Sequence, residues 1–148
     1  MTIYYDGDQH LSQAQQEQIE RILETVLTVE NLLQAGEVSI SLVSDDEIRQ
    51  LNRDYRNKDQ VTDVLSFPQV ESLDEARQAN YLFLGDIVIN LDQVIRQAKE
   101  FQHSEARELS YLTVHSLYHL LGFDHETDDE KLAMRNKEKH IMQILEGK

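Results

Sequence analysis

The sequence contains no cysteine, no tryptophan, one proline and five glycines among its 148 residues. Without cysteine, disulfide bonds and thiolate metal ligands are both excluded. No apolar run approaches the roughly 20 residues that a membrane-spanning helix needs, and the first ten residues lack the basic and apolar regions of a signal peptide. These absences favour a cytoplasmic protein with no membrane partner.

Basic residues are also scarce, because 14 lysines and arginines stand against 28 acidic residues, for a formal net charge of −14. An acidic surface repels polyanions, so the average charge argues against a nucleic-acid partner unless the protein has a local basic cleft. The length and the 40% of hydrophobic residues fit one globular domain over residues 1–148 with a real hydrophobic core.

The pattern of apolar and capping residues predicts both helices and strands. Ser12, Ser44 and Thr127 are each followed three positions later by Gln or Glu, as in a capping box, and Asn90 is a looser case. Predicted helices cover 13–34, 45–55, 91–101, 105–121 and 128–145. Apolar segments predict strands at 2–5, 37–43, 63–67 and 82–89.

This order of elements predicts an α/β (α+β) fold, in which a small mixed sheet of about four strands packs with about five helices. Gly85 interrupts the last strand and is a candidate β-bulge. The polar and acidic stretch 68–80 carries no clear pattern, so we expect an exposed loop with at most partial helix.

Half of the six histidines lie in the segment HSLYHLLGFDH, residues 115–125. His115 and His119 are four positions apart, so a helix places them on one face, one turn from each other. Gly122 can adopt the left-handed conformation that ends a helix, and the following residues then return His125 toward the pair. The spacing HxxxHxxGxxH therefore predicts a metal site on a helix and the turn after it.

Three neutral imidazoles suit Zn²⁺ and leave a fourth coordination position open, as in catalytic zinc sites. Nickel, cobalt and copper also bind imidazole, so the spacing does not select the metal, although one Zn²⁺ per chain is the preferred prediction. The alternative is a helix with two solvent-facing histidines and a third in a loop. Ser116 stands where HExxH zinc hydrolases have their glutamate base, so a zinc-peptidase mechanism is incomplete.

Four segments together resemble the YbeY family. HSLYHLLGFDH resembles the family motif HGxLHLxGYDH, and LNRDYRNKDQVTDVLSFP, LGDIVIN and SEARELSYLTVH agree with other family segments. The resemblance implies an α/β single-domain, metal-dependent endoribonuclease. It implies activity in the maturation of ribosomal RNA, notably at the 3′ end of the small-subunit RNA, and in ribosome quality control. Ser116 and Tyr118 depart from the glycine and leucine of the family motif.

The resemblance also implies that the three motif histidines hold zinc and that Arg56 is the family's arginine before TDVLSFP. A guanidinium there could bind a phosphate and stabilise negative charge in the transition state, and Lys58 could belong to the same substrate-binding patch. The alternative for Arg56 is an ion pair with Asp54 or Asp59 on a solvated loop.

Two aspartates are candidates for orienting a ligand histidine through a hydrogen bond. Asp86 interrupts an apolar strand, where a carboxylate needs a partner, and capping the backbone at the bulge is an equal alternative. Asp124 lies inside the histidine motif and could carry a proton, but a structural role in the turn is favoured.

Three functions are compatible with these observations. The first is an endoribonuclease that cleaves single-stranded regions of ribosomal RNA, with ribosomal proteins as candidate docking partners. The second is a zinc peptidase, which the histidine spacing favours and Ser116 disfavours. The third is a noncatalytic ribosome-assembly factor whose zinc is structural; a fourth protein ligand would support it.

Overall fold

The computed structural model describes residues 1–147, and within that range the chain forms four strands and six helices. The strands are β1 (Thr2–Gly7), β2 (Gly36–Leu42), β3 (Val64–Pro68) and β4 (Leu82–Ile89). The helices are α1 (Gln13–Val29), α2 (Asp45–Arg56), α3 (Leu73–Gln78), α4 (Leu91–Glu100), α5 (Glu105–Leu120) and α6 (Asp128–Leu145). None of these helices is long and apolar enough to cross a membrane.

The strands form one mixed sheet in the order β1-β2-β4-β3, which confirms the predicted fold class. β1, β2 and β4 run parallel, whereas β3 pairs antiparallel with β4 and lies at an edge. The predicted bulge is present, because Glu37 pairs with Phe83 while the next residue, Val38, pairs with Gly85. Gly85 has a φ of +125°, and a Cβ there would lie 2.2 Å from the carbonyl oxygen of Phe67.

Each predicted cap is formed by a side-chain oxygen that accepts a hydrogen bond from the backbone N–H three residues later, at Ser12, Ser44, Asn90 and Thr127. One prediction for the chain between these caps is wrong, because α1 ends at Val29 instead of continuing to residue 34. The 68–80 stretch, predicted as a loop with partial helix, contains the short helix α3.

The end of α1 and the position of α3 each have a local physical cause. Asn31 adopts a left-handed φ of 59°, so the chain leaves α1, and Leu32 enters the core from the turn with 1% of its surface exposed. The side chain of Ser72 caps α3 by accepting from the N–H of Glu75. Ala76 holds α3 on the core, where it is fully buried.

The main hydrophobic core lies between the sheet and helices α1, α4, α5 and α6. A smaller cluster on the opposite face of the sheet packs Ile48 of α2 against Leu65 and Val88. α5 contacts α1, α4, α6 and the edge strand β3, so most of its surface is covered. Its remaining side faces a cleft beside β3, and that side carries two of the histidines.

Candidate metal centre

His115 and His119 occupy consecutive turns of α5 on the side that faces the cleft, and both are half-buried. Their ring centroids are 4.7 Å apart, in an edge-to-face arrangement. The residues between them point the other way, since Ser116 and Tyr118 are fully buried. The amphipathic pattern of the helix therefore presents the two imidazoles together.

A Schellman motif ends α5 and turns the chain toward the cleft. The N–H of Phe123 donates to the carbonyl of Tyr118 at 3.0 Å, and the N–H of Gly122 donates to that of His119 at 3.0 Å. The rings of Tyr118 and Phe123 pack edge to face with centroids 5.4 Å apart, the hydrophobic contact that accompanies this motif.

Gly122 is required in this turn for two separate reasons. Its φ of +93° lies in the left-handed region that side chains other than glycine rarely adopt. A Cβ at this position would also lie 2.5 Å from the carbonyl oxygen of Glu71, in the segment before α3. The glycine therefore lets the chain that follows α5 pass closely beside Glu71 and Ser72, the segment just before α3.

The turn brings His125 to the two helical histidines. The ring centroid of His125 lies 5.9 Å from that of His115 and 5.0 Å from that of His119. One ring nitrogen from each of the three residues lies within 4.8 Å of the others. A tetrahedral ion with Zn–N bonds of 2.0–2.1 Å needs nitrogens about 3.3 Å apart, which is within the 4.8 Å that bounds the three nitrogens. The cluster could thus hold a metal ion.

Glu138 of α6 orients His115 by a hydrogen bond that sequence reasoning missed. Its Oε2 lies 3.0 Å from Nδ1 of His115, and Glu138 is 4% exposed. A proton on Nδ1 leaves the lone pair of Nε2 free for the cluster. The signal was present in the sequence, because Glu138 shares the buried stripe of α6 with Met134 and Ile141. A carboxylate on an apolar stripe needs a partner.

The electrostatics of the cluster favour a neutral imidazole at His119. Burial lowers the pKa of His119, and the neighbouring His115 and His125 lower it further, because charging one ring beside the others is unfavourable. A neutral imidazole is the form that binds a metal ion. The remaining histidines, at positions 10, 103 and 140, are exposed.

A cleft of about 600 Å³ opens in front of the histidines, with part of its wall formed by β3 and by the loop after α2. Arg56 and Lys58, the two predicted substrate-binding residues, line this cleft together with the histidines. α2 ends at Arg56 because Asn57 adopts a left-handed φ of 59°. The buried Asn52 donates to the carbonyl of Gln60 at 3.0 Å and so holds the loop in place.

Arg56 does not form the ion pairs that were its alternative role. Asp59 pairs with Arg49 at 2.8 Å, and Asp54 lies 3.6 Å from Arg53.

The Arg56 guanidinium instead donates to the carbonyl of Ser66 on β3 at 2.8 Å, and it lies 5.2 Å from the centroid of the Phe67 ring. These two contacts hold the guanidinium at the rim of the cleft and leave other N–H groups available.

The two candidate aspartates differ in position. Asp124 lines the cleft, accepts a 2.7 Å hydrogen bond from the N–H of His125 and lies 3.8 Å from Nδ1 of that residue. The first contact fits the favoured structural role in the turn. Asp86 shares the sheet face of Val88, which packs on α2, whereas Ile87 faces the core under α5. Asp86 is therefore not placed to orient a ligand histidine.

Both departures from the resembled motif point into the protein interior. The Ser116 hydroxyl is fully buried and has no hydrogen-bond partner among the described residues. Tyr118 donates from its hydroxyl to the buried carboxylate of Glu30 at 2.9 Å. Neither residue faces the three clustered histidines. The departures therefore change the packing around the candidate metal site and leave its three candidate ligands in place.

Comparison with known proteins agrees with this architecture. A family model described as Endoribonuclease YbeY matches residues 3–146. The chain belongs to the YbeY family. This confirms the resemblance that the four sequence segments indicated.

Relatives in the YbeY family align over most of their length. A protein named Endoribonuclease YbeY from Thermoanaerobacter sp. (strain X514) is 45% identical, covering 88% of this chain and 87% of the relative. The protein of that name from Clostridioides difficile (strain 630) is 41% identical, covering 98% and 97%. A protein from Thermotoga maritima has a solution structure that superposes with a TM-score of 0.65 at 30% identity, covering 96% of this chain and 87% of that one.

Proposed function

We propose that this chain is a zinc-dependent endoribonuclease that cleaves single-stranded regions of ribosomal RNA, including the 3′ end of the small-subunit RNA. The observation that carries the proposal is the position of three imidazoles and the guanidinium of Arg56 around one cleft. The name that its relatives bear, endoribonuclease, agrees with this chemistry.

One zinc ion per chain would be held by His115, His119 and His125. The donor set fits, because three imidazoles suit zinc and leave one coordination position for a substrate or water. Bound there, the ion would supply a Lewis acid that polarises a phosphoryl oxygen and lowers the pKa of water. The carboxylate of Glu138 would fix the tautomer and the ring orientation of His115.

Arg56 would bind and stabilise the scissile phosphate. Its guanidinium stays charged at any working pH and offers a planar fork of donors that matches phosphate oxygens. The contacts to Ser66 and Phe67 hold the group before substrate arrives, so little reorganisation is needed when charge develops. Lys58 would add a second positive charge at the same wall of the cleft.

Local recognition also explains how a chain of net charge −14 could act on RNA. A broad acidic surface opposes contact with many phosphates at once. A cleft of about 600 Å³ needs to admit only a few nucleotides. Single strands suit such a cleft, because their bases can be splayed apart and bound one by one.

The two alternative functions have less support. A zinc peptidase would need a general base beside the first histidine, and Ser116 at that position is buried in the core. The carbonyl of Ser66 on the edge strand is occupied by Arg56, which leaves less of that edge free to pair with a peptide.

A structural zinc would need a fourth protein ligand, whereas the cluster among the described residues has three members.

The decisive test is cleavage of a small-subunit 3′-end RNA fragment by the metal-loaded protein, with and without chelator. We expect Arg56→Ala to retain its metal and its fold but to lose about 10²–10³ in cleavage rate, as expected when a transition-state donor is removed. Arg49→Ala is the matched control, because Arg49 lies on the same helix but pairs with Asp59. Undiminished cleavage by Arg56→Ala would remove this residue from the mechanism.

The same assay separates metal dependence from other effects. His119→Ala should lose both the metal and the cleavage activity, whereas His140→Ala, an exposed histidine outside the cluster, should lose neither. Peptide cleavage by the wild-type protein, without RNA cleavage, would favour the peptidase instead.

A further inference from the structure

Tyr111 extends the row of rings on the cleft side of α5. It precedes His115 by one turn, its ring lies nearly parallel to that imidazole at an interplanar angle of 23°, and the centroids are 6.1 Å apart. Tyr111 lines the metal cleft, yet 45% of its surface is exposed. Four residues of helix correspond to a rise of about 6 Å, so Tyr111 lies within reach of a nucleotide that adjoins the three histidines.

A second groove begins at Tyr111 and runs between α5 and α6. Its volume is about 670 Å³. Phe101, which follows α4, also lines this groove and is 55% exposed. Tyr111 lines both the groove and the metal cleft, so the two form a continuous surface. Two exposed aromatic rings along one groove are the usual platform on which the bases of single strands stack.

The charges in this groove differ from the acidic average of the chain. Glu108 and Glu138 line it but are buried, at 6% and 4% exposure, and are hydrogen-bonded to Gln97 and His115. A third carboxylate, that of Glu146, pairs with Arg107 at 3.4 Å.

Two cations remain exposed in the groove without a salt bridge to any described residue, namely Arg135 and Lys139 of α6. Their positive charge is therefore available to an anionic ligand. Cations beside exposed aromatic rings are the combination that binds a nucleic-acid backbone and its bases together.

The side of the three histidines that lies away from Tyr111 is less favourable to RNA. A neighbouring cleft past His119 is lined by the carboxylates of Glu71, Asp124 and Glu126, with Arg56 at its rim. A polyanion that leaves the cluster in that direction meets negative charge, whereas toward Tyr111 it meets Arg135 and Lys139.

We propose that the groove between α5 and α6 binds the nucleotides that flank the scissile phosphate on one side, as a single strand. Bases would stack on Tyr111 and Phe101, and phosphates would contact Arg135 and Lys139. This proposal rests on the proposed function, because it extends the substrate path of the same site.

Binding of RNA in the presence of chelator tests the groove without requiring cleavage. The probe is a fluorescent single-stranded RNA of about 12 nucleotides, long enough to cover a stacking groove, titrated with the full chain and followed by anisotropy. Lys139→Glu should weaken binding about tenfold or more. Lys131→Glu is the matched control, because it makes the same charge change at another exposed position of α6 outside the groove.

Phe101→Ala provides a second variant that leaves the net charge unchanged. Loss of a stacking platform should weaken binding of the same RNA about tenfold. In cleavage assays both groove variants should raise KM for the long RNA and leave kcat unchanged, because they act away from the reacting phosphate. Circular dichroism checks that these exposed substitutions leave the fold intact.

The possible outcomes separate the two proposals. If Lys139→Glu and Lys131→Glu bind RNA equally and Phe101→Ala binds like the wild type, the groove is not an RNA site, even if the wild type cleaves RNA; a protein partner would then be the remaining occupant. If the wild type binds RNA through the groove but never cleaves it with metal present, the proposed function fails while the groove assignment stands.

Discussion

At the scale of single residues, Glu138 has the clearest link to the candidate metal site. A buried carboxylate is costly unless hydrogen bonds compensate its loss of water. Glu138 is 4% exposed, and its Oε2 contacts Nδ1 of His115 at 3.0 Å. Such a partner holds a ligand ring in one tautomer and orientation, so it raises metal affinity without touching the ion.

We therefore expect Glu138→Gln to lower metal affinity about 10- to 100-fold, the range typical for residues that hydrogen-bond a ligand histidine. The measurement is a competition titration against a chelator of known affinity. Glu108→Gln is the control, since Glu108 is also buried but bonds to Gln97. Equal affinities for the two variants would contradict the orienting role of Glu138.

At the scale of structural elements, the turn after α5 decides whether the third histidine reaches the first two. It combines the hydrogen bonds of a Schellman motif with a close approach to the α3 segment. The ring contact between Tyr118 and Phe123 fixes the direction in which the chain leaves the helix. The segment just before α3, Glu71 and Ser72, thus supports the geometry of the candidate metal site.

Gly122→Ala should destabilise the fold by about 1–3 kcal/mol, because it combines a left-handed φ with a backbone clash, and it should also weaken metal binding. Gly147→Ala is the control for the φ effect alone, because Gly147 has a φ of +75° but nothing within 4 Å of a new Cβ. Urea unfolding and metal titration measure the two effects. A Gly122 variant no less stable than the Gly147 variant would refute the clash.

At the scale of the whole molecule, the carboxylate of Glu30 joins helices that are distant in sequence. Glu30 follows α1 and is 1% exposed. It accepts from Tyr118 of α5 at 2.9 Å and from Lys137 of α6 at 3.0 Å, and Arg77 of α3 lies 3.5 Å away. The network spans the helices that carry or support the candidate metal site. The stability of the whole fold therefore depends on these buried hydrogen bonds being formed.

Tyr118→Phe should lower the free energy of unfolding by about 1–3 kcal/mol, because it removes a donor from a buried carboxylate. Tyr55→Phe, at an exposed tyrosine, is the control and should have little effect.

Burial and the Glu30 carboxylate raise the pKa of Tyr118, so its neutral form is favoured in the folded state. Wild-type stability should therefore fall as the pH rises past about 10, where unfolded tyrosine ionises, and fall less in Tyr118→Phe.

Much of the fold could be predicted from local patterns. The four helix caps and the bulge at Gly85 depend on residues close in sequence, and each is present. The error at the end of α1 arises because a turn at Asn31 overrides the helical pattern. The bounds of α3 within the predicted partly helical stretch depend on the burial of Ala76, which local propensity does not encode.

The sequence by itself determined the candidate ligands, because a helical repeat of four and a glycine turn bring His115, His119 and His125 together through local geometry. Only the tertiary structure decided which other residues join them. It placed Glu138 beside His115, Arg56 at the rim of the cleft, and Asp86 on the other face of the sheet. Those positions depend on how distant elements pack against one another, and no local spacing encodes that packing.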